Sequence, residues 1–240
     1  MKKCFISLIT LYLLLNITSV QAQEMRSYWL NGVVGLNSNL ILNQNAYGNP
    51  EMKYASTFAP SLGMGFNYFF SGKLGFNTSV FMTKMGQNYT GEQAGGQAKR
   101  QVNLTYVEVP FLLMSKIPYS KYPTWISYGP DVMLLLKAKQ GYNRVGGSPL
   151  QNPEGMAEGN ITKRFKRGDV ALNVSLNQLY SLNYFNNLML LFSINSAVGL
   201  TDINKLKTPN LHDIYGKSSN FYIGIKLGLM FKLASGNSKW

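Results

Sequence analysis

The stretch Phe221–Leu233, FYIGIKLGLMFKL, alternates between two kinds of side chain along its whole length. Its odd positions are all large and apolar, whereas its even positions include two lysines and two glycines. A period of two residues is that of a β-strand with one apolar face. The run exceeds the roughly 5–6 residues of a common soluble strand and suffices for the about 9–11 residues of a membrane-crossing strand.

The same alternation recurs earlier in the chain, so about eight strands are predicted. Five segments are regular: Leu74–Met82, Val107–Met114, Trp125–Leu136, Val170–Asn177 and Leu188–Leu200. Two segments are less regular: Tyr28–Asn37 and Pro60–Phe70. An even number of strands is typical of bacterial single-chain barrels.

Short and long connections alternate strictly between these segments. The short ones are Ser71-Gly72, residues 118–123 and residues 183–187, and the long ones are residues 38–57, 88–101, 140–168 and 201–220. Outer-membrane barrels have short periplasmic turns and long extracellular loops. We therefore predict an all-β fold, an up-and-down antiparallel transmembrane β-barrel of about eight strands with both termini periplasmic.

The composition favours the same fold class. Charged residues are 14% of the chain, against about 25% in typical soluble domains, and there are 15 Tyr and 13 Phe. After Ala22, no apolar stretch approaches the length of a membrane helix. A closed barrel is the other structure that satisfies all backbone polar groups in lipid.

The N-terminus predicts a secretory signal peptide over residues 1–22 and a barrel domain over residues 23–240. Lys2 and Lys3 precede the apolar run Phe5–Leu15, and Val20-Gln21-Ala22 fits a cleavage site. The rival interpretation, a membrane-anchoring helix, requires a longer apolar run of roughly 18–20 residues. The sole cysteine, Cys4, leaves with the signal, so the mature chain has no thiol. The predicted location is the bacterial outer membrane.

Aromatic residues lie close to the predicted strand ends: Tyr28, Trp29, Tyr68, Phe69, Phe70, Tyr89, Tyr106, Trp125, Tyr180, Tyr184, Phe185 and Phe221. This distribution favours interfacial aromatic girdles. Ordinary packing of aromatic side chains in β-structure is the alternative.

Several short stretches resemble the small outer-membrane β-barrel family of the Bacteroidota that is described as PorT-like. They are Gly35-Leu36-Asn37, the sequence YVEVPF at residues 106–111, and Gly129-Pro130. The resemblance implies an outer-membrane barrel of about eight strands. One branch of that family takes part in protein export across the outer membrane, which makes secretion-system proteins possible partners.

If the apolar faces point to lipid, then Glu108, Asp131, Lys226 and Lys232 point into the lumen. An eight-stranded barrel is just wide enough for side chains to fill it, and buried charges of both signs must pair. We therefore expect a salt-bridged lumen charge network rather than a porin channel, because open channels come with about 16–18 strands.

A candidate anion-binding loop contains Arg144, Lys163, Arg164, Lys166 and Arg167, and the precursor has a net charge of +13. Such residues bind phosphates of lipopolysaccharide or acidic glycans, or they merely flank the membrane, and both interpretations remain open. The expected partners are outer-membrane lipid and lipopolysaccharide, and the barrel-assembly machinery during insertion. Nothing in the sequence predicts nucleic-acid binding.

No catalytic residue, metal site or cofactor is predicted. His212, the only histidine, stands beside Asp213, and a Ser-His-acid site could draw on Ser218 or Ser219. A solvated loop histidine is the simpler interpretation. Three functions remain: a non-enzymatic barrel whose extracellular loops bind a ligand or support the envelope, an export accessory, and a lipid-modifying enzyme or protease.

Overall fold

The computed structural model describes residues 26–42, 52–120, 122–148, 158–184, 186–205 and 217–235. The predicted signal peptide, residues 1–22, lies outside these ranges. No helix in this part of the chain is long and apolar enough to cross a membrane.

The described residues are nearly all in β-strands. The strands are β1 (Ser27–Leu42), β2 (Met52–Ala55), β3 (Phe58–Phe69), β4 (Leu74–Gln93), β5 (Gly96–Lys116), β6 (Thr124–Val145), β7 (Gly159–Asn160), β8 (Gly168–Ser181), β9 (Leu188–Gly199) and β10 (Ser219–Ser235). A single 3-10 turn covers Thr162–Arg164.

Eight of the strands form a closed ring, in the order β1, β3, β4, β5, β6, β8, β9 and β10. All neighbours in the ring pair antiparallel and follow one another in chain order. The ring closes at the seam, where β10 pairs with β1 over Ser219–Ser235 and Ser27–Leu42. The short strands β2 and β7 pair with the outer ends of β4 and β6. The predicted fold class is therefore confirmed.

The two ends of the barrel differ in construction. The three short turns lie at the end that also carries the start of β1 and the end of β10, and this is the periplasmic end. At the other end, the predicted loop at residues 88–101 is wrong: β4 and β5 continue to a two-residue turn at Ala94 and Gly95. Both turn residues have positive φ, 46° and 75°, as a type I′ hairpin turn requires.

A broad apolar belt surrounds the barrel. Its members are exposed on the outer face of every barrel strand and include Leu30, Val34, Leu62, Met64, Val80, Phe111, Val132, Leu134, Leu172, Val174, Ile194, Ile225 and Leu227. Soluble proteins rarely expose continuous apolar areas of this size to water. Because the ring is closed and its outer face is apolar, the belt faces lipid, and the protein is an outer-membrane β-barrel.

A β-bulge interrupts the alternation of β6. Thr105 of β5 pairs with Lys137, whereas the next residue, Tyr106, pairs with Leu135, so Leu136 is the extra residue. Beyond the bulge, Lys137 and Lys139 point outward, whereas the residues between and after them are buried. The bulge thus exchanges the two faces of the strand.

The aromatic residues divide between the two faces, so the girdle prediction is wrong for part of the set. Five of them are buried in the barrel: Trp29, Phe69, Tyr89, Tyr106 and Trp125. An outer aromatic group does form near the periplasmic end. In it, Tyr28 stacks on Tyr68 with ring centroids 4.7 Å apart, and Tyr68 meets Phe70 edge-on at 4.8 Å.

The inner face is crowded, and glycine makes room in it. A Cβ atom at Gly63 would lie 2.3 Å from Cδ1 of Phe81 and 2.6 Å from the carbonyl oxygen of Val80. The Phe81 ring can therefore occupy its place in the lumen only because residue 63 of β3 has no side chain.

We predict that Gly63→Ala lowers the stability of the barrel by about 1–3 kcal/mol, because the added methyl group overpacks the lumen. The measurement is the midpoint of urea unfolding, followed by the mobility shift of the unheated protein on gels. Gly32→Ala is the matched control, because a Cβ atom at Gly32 meets nothing within 4 Å. Equal midpoints for the two variants would contradict the prediction.

Candidate functional site

The lumen contains a buried polar cluster whose charged residues come from three strands. Glu108 of β5, Asp131 of β6 and Lys226 of β10 point inward and are 1%, 0% and 7% exposed. The two acidic side chains lie against each other, and Lys226 interacts electrostatically with both. We call these three residues, together with Thr83, Asn173 and Tyr222, the lumen cluster.

Neutral donors supply the hydrogen bonds of the lumen cluster. The hydroxyl of Tyr222 donates to Oε1 of Glu108 over 2.7 Å, and Oγ1 of Thr83 donates to Oε2 over 2.7 Å. Asn173 Nδ2 donates to Oδ2 of Asp131 over 3.1 Å and to the Tyr222 hydroxyl over 3.2 Å. Five strands, β4, β5, β6, β8 and β10, contribute donors or acceptors, so the cluster connects opposite walls of the barrel.

Lys226 compensates the acidic charges without a direct ion pair. Its Nζ lies 4.1 Å from the centroid of the Phe81 ring, a cation–π contact. Among the described residues, one salt bridge has its charged atoms within 4.0 Å, and it joins Lys166 to Asp202. No salt bridge within this distance joins Lys226 to Glu108 or Asp131 in the same part of the chain. Lys232 lies apart from the cluster, six residues further along β10, with its Nζ 5.9 Å from the Trp29 ring centroid.

A cavity of about 50 Å³ adjoins the lumen cluster on its periplasmic side. Its lining combines apolar side chains with asparagines and serines, which include Asn31, Asn67, Asn173, Asn177, Asn195, Ser127, Ser175 and Ser193. Several buried atoms, such as Oδ1 of Asn31 and Nδ2 of Asn67, have no protein partner. Ordered water beside these atoms would complete their hydrogen bonds.

The periplasmic mouth of the barrel is closed by large side chains. Trp29, Phe69 and Trp125 are buried there, and the rings of Phe69 and Trp125 are 4.8 Å apart. They belong to an apolar cluster that also includes Val33, Phe81, Met114, Leu179, Leu191 and Met230. This cluster lies between the cavity and the periplasmic mouth, and some of its members, such as Phe81 and Met114, also line the cavity.

The extracellular mouth is closed by a second apolar cluster to which loop residues contribute. Ile161, Phe165 and Ile203 come from segments between the barrel strands, and all three are buried. Backbone hydrogen bonds join these segments: Lys166 N donates to the carbonyl of Ile203 over 2.8 Å, and Lys205 N donates to the carbonyl of Arg164 over 2.9 Å. We call these three side chains the loop plug.

A buried carboxylate supports the wall beside the loop plug. Asp169 at the start of β8 accepts hydrogen bonds from Thr201 and, over 2.8 Å, from Nδ2 of Asn220. Asn220 Nδ2 also contacts the Tyr106 hydroxyl at 3.2 Å. Sequence reasoning missed this network, because Asp169 lies just before the regular part of its strand pattern.

The candidate anion-binding residues fall into two places. Lys163, Lys166 and Arg167 are exposed beside the loop plug, and Arg164 next to them is half-buried. Arg144 lies on the outer tip of β6, where its Nη1 donates to the carbonyl of Gln93 over 3.3 Å. The N–H of Leu135 in β6 donates to the Arg167 carbonyl, which places the other basic residues near Leu135. Arg144 lies nine positions further along β6, or about 30 Å away.

The proposed hydrolase residues His212 and Asp213 lie outside the described ranges. Ser218 is described, and it is buried, with its hydroxyl accepting a hydrogen bond of 2.7 Å from Asn204 Nδ2. Within the described part of the chain, no group of three His, Cys, Asp or Glu side chains is arranged to hold a metal ion.

Comparison with solved structures finds small outer-membrane barrels. Neisserial surface protein A has 11% identity and a TM-score of 0.41, over 87% of this chain and 99% of that protein. OprG from Pseudomonas aeruginosa has 12% identity and a TM-score of 0.46, over 88% and 96%. Ail, the attachment invasion locus protein of Yersinia pestis, has 11% identity and a TM-score of 0.37, over 87% and 100%.

No protein-family model and no curated protein matches the chain. Similarity to the solved barrels at this level carries no function from them to this protein. The candidate site must therefore be judged from its own residues.

We predict that Lys226→Met destabilises the barrel by about 3–5 kcal/mol, because it leaves two buried acidic side chains without their cation. Adding Glu108→Gln to Lys226→Met should recover part of the loss, since one acidic group is then neutral. Urea unfolding of the four members of this cycle measures the coupling. Lys232→Met is the control and should change stability by less than about 1 kcal/mol. A larger loss at Lys232 than at Lys226 would contradict the prediction.

A second prediction concerns conduction. Two apolar clusters close the lumen in series, so the protein in a planar bilayer should show no steady ion conductance. Opening only the periplasmic mouth, with Trp29→Ala and Trp125→Ala together, should leave the barrel closed, because the loop plug remains. Stepwise conductance from the wild-type protein would show that the lumen is open in the membrane.

Proposed function

We propose that the protein is a non-conducting, non-enzymatic outer-membrane barrel whose extracellular end binds a polyanionic molecule. The observation that carries this proposal is the charge imbalance at that end. The basic side chains described there are Lys53, Lys99, Lys139, Arg144, Lys163, Arg164, Lys166, Arg167, Lys205 and Lys217. The acidic side chains described at the same surface are Glu92, Glu158 and Asp202.

The basic side chains stand on ordered backbone. Lys163 lies in the 3-10 turn, and this turn is fixed to β6 by a hydrogen bond of 3.0 Å from Ile161 N to the Ala138 carbonyl. Phe165 of the loop plug anchors the following residues in the barrel. Preorganised charges bind a ligand at a lower entropic cost than charges on a free loop.

The closed lumen supports binding at the surface over transport. The carboxylates of the interior are engaged with Tyr222, Thr83 and Asn173, and apolar clusters lie at both mouths. Side chains that fill an eight-stranded barrel leave no path for a solute of appreciable size. The loops and outer strand ends are then the part of the protein that can meet a partner.

The other functions stay predictions. The resemblance to the PorT-like family, and the export role that it implies, rest on the short motifs in the sequence. Hydrolysis through His212 also stays a prediction. Supporting the envelope as a scaffold is compatible with the closed barrel and needs no ligand.

Binding of a fluorescent dextran sulfate to the refolded barrel in micelles tests the proposal, with neutral dextran as the uncharged comparison. The wild type should bind dextran sulfate and not neutral dextran, and the affinity should fall steeply between 50 and 300 mM salt, because exposed charges are screened. The double variant Lys163→Gln with Arg167→Gln should bind several-fold more weakly.

Lys73→Gln with Lys116→Gln is the matched control, because both lysines are exposed at the periplasmic end. This control should bind dextran sulfate as the wild type does. The proposal fails if the control weakens binding as much as the extracellular pair, or if neutral dextran binds equally well.

A further inference from the structure

A row of polar side chains crosses the outer wall of the barrel just above the apolar belt. Lys84 of β4 pairs in register with Thr105 of β5, and Thr105 pairs with Lys137 of β6. The residues below them in the register are Met82, Val107 and Leu134, all apolar. We call Lys84, Thr105 and Lys137 the wall row.

The position of the wall row along the strands matches the edge of the hydrocarbon. On β4 the apolar outward positions run from Leu74 to Met82, and Lys84 is the next outward position. A tilted strand crosses the hydrocarbon with about 9–11 residues. The wall row is therefore at the level of lipid head groups, where lysine stems lie along apolar surface and their ammonium groups reach the polar zone.

The β6 bulge creates the wall row. Strict alternation from Leu134 would turn Lys137 into the lumen, whereas the extra residue Leu136 turns it outward. Bulges often re-aim a side chain at a functional position. Neighbouring strands are about 4.8 Å apart, so Lys84 and Lys137 start about 10 Å apart with the Thr105 hydroxyl group between them.

The two lysines have no acidic partner. Among the described residues, no carboxylate lies within 4.0 Å of the Nζ of Lys84 or Lys137. The acidic residues of β4, β5 and β6 are Glu92, Glu108 and Asp131. Glu108 and Asp131 point into the lumen, and Glu92 pairs with Gln97 at the outer tip.

At the level of the wall row, the exposed charge lies on one side of the barrel. Lys139, the next outward residue of β6, is also exposed close to the wall row. On β10, β1 and β3, the outward positions that follow the apolar belt are uncharged: Ser219, Phe221, Ser38, Leu40 and Phe58. Lysines that only mark the membrane edge have no reason to collect on β4 and β6, the two neighbours of β5.

We propose that the wall row binds the phosphate group of a phosphorylated lipid of the outer leaflet. The two ammonium groups and the Thr105 hydroxyl donate to the phosphate oxygens, while the acyl chains of the same lipid lie on Met82, Val107 and Leu134. Charge-assisted hydrogen bonds of this kind are stronger than neutral ones. The site is a fixed lipid contact on the barrel wall, separate from the polyanion surface beside the loop plug.

The test uses the refolded full-length barrel in detergent micelles that contain an increasing fraction of diphosphoryl lipid A. Protection against heat unfolding, followed by gel mobility, gives the lipid fraction for half-maximal protection. The variant Lys84→Gln with Lys137→Gln should need about 10- to 30-fold more lipid A, since each lysine near an anionic surface contributes severalfold. Thr105→Val should need a few-fold more. Lys73→Gln with Lys116→Gln should match the wild type.

Three results would overturn the proposal. One is equal protection of the wild type and the Lys84/Lys137 variant by lipid A. Another is equal protection of the wild type by phosphatidylcholine, which would show a general lipid effect. The third is equal protection by inorganic phosphate without lipid, which would assign the row to soluble anions.

The outcome is independent of the polyanion proposal. Lys163→Gln with Arg167→Gln should keep the lipid A protection, and Lys84→Gln with Lys137→Gln should keep most of the binding of dextran sulfate. Loss of both properties in both variants would argue against a distinct lipid site.

Discussion

The pairing of backbone hydrogen-bonding groups is the constraint on which the rest of this structure depends. Hydrocarbon offers no partner to an N–H or a C=O group, so a sheet in the membrane must have no free edge. The seam between β1 and β10 meets this requirement by pairing Ser27–Leu42 with Ser219–Ser235. In the closed ring, successive side chains of each strand point alternately to lipid and to the lumen. The outer face is therefore apolar, whereas the inner face contains the polar and charged side chains.

The narrow lumen explains why the interior is both polar and closed. Eight strands leave room for side chains and little else. Charge is placed at mid-depth, where Glu108, Asp131 and Lys226 are enclosed, and apolar clusters occupy both mouths. Burying charge is costly unless hydrogen bonds and an opposite charge compensate it. The donors Tyr222 and Thr83 provide that compensation, and the cluster connects opposite walls of the barrel.

The described residues of the extracellular end form an ordered structure above the apolar belt. β4, β5 and β6 continue well beyond the apolar belt, and backbone hydrogen bonds join the 3-10 turn to the segment around Ile203. Ile161 and Phe165 insert into the mouth from above. Rigid support of this kind holds the exposed basic side chains in fixed positions, which is what selective binding of an anion requires.

The sequence alone determined the barrel, its strand number and the inward direction of Glu108, Asp131 and Lys226. The reason is that apolar and polar residues alternate along each strand with the two-residue period of β-structure. It did not determine the partners of those residues, since Glu108 and Tyr222 are far apart along the chain and meet only when the ring closes. Nor did it determine the outward turn of Lys137 or the plug formed by Phe165. A bulge and a loop contact depend on how strands pair, and strand pairing is a property of the tertiary structure.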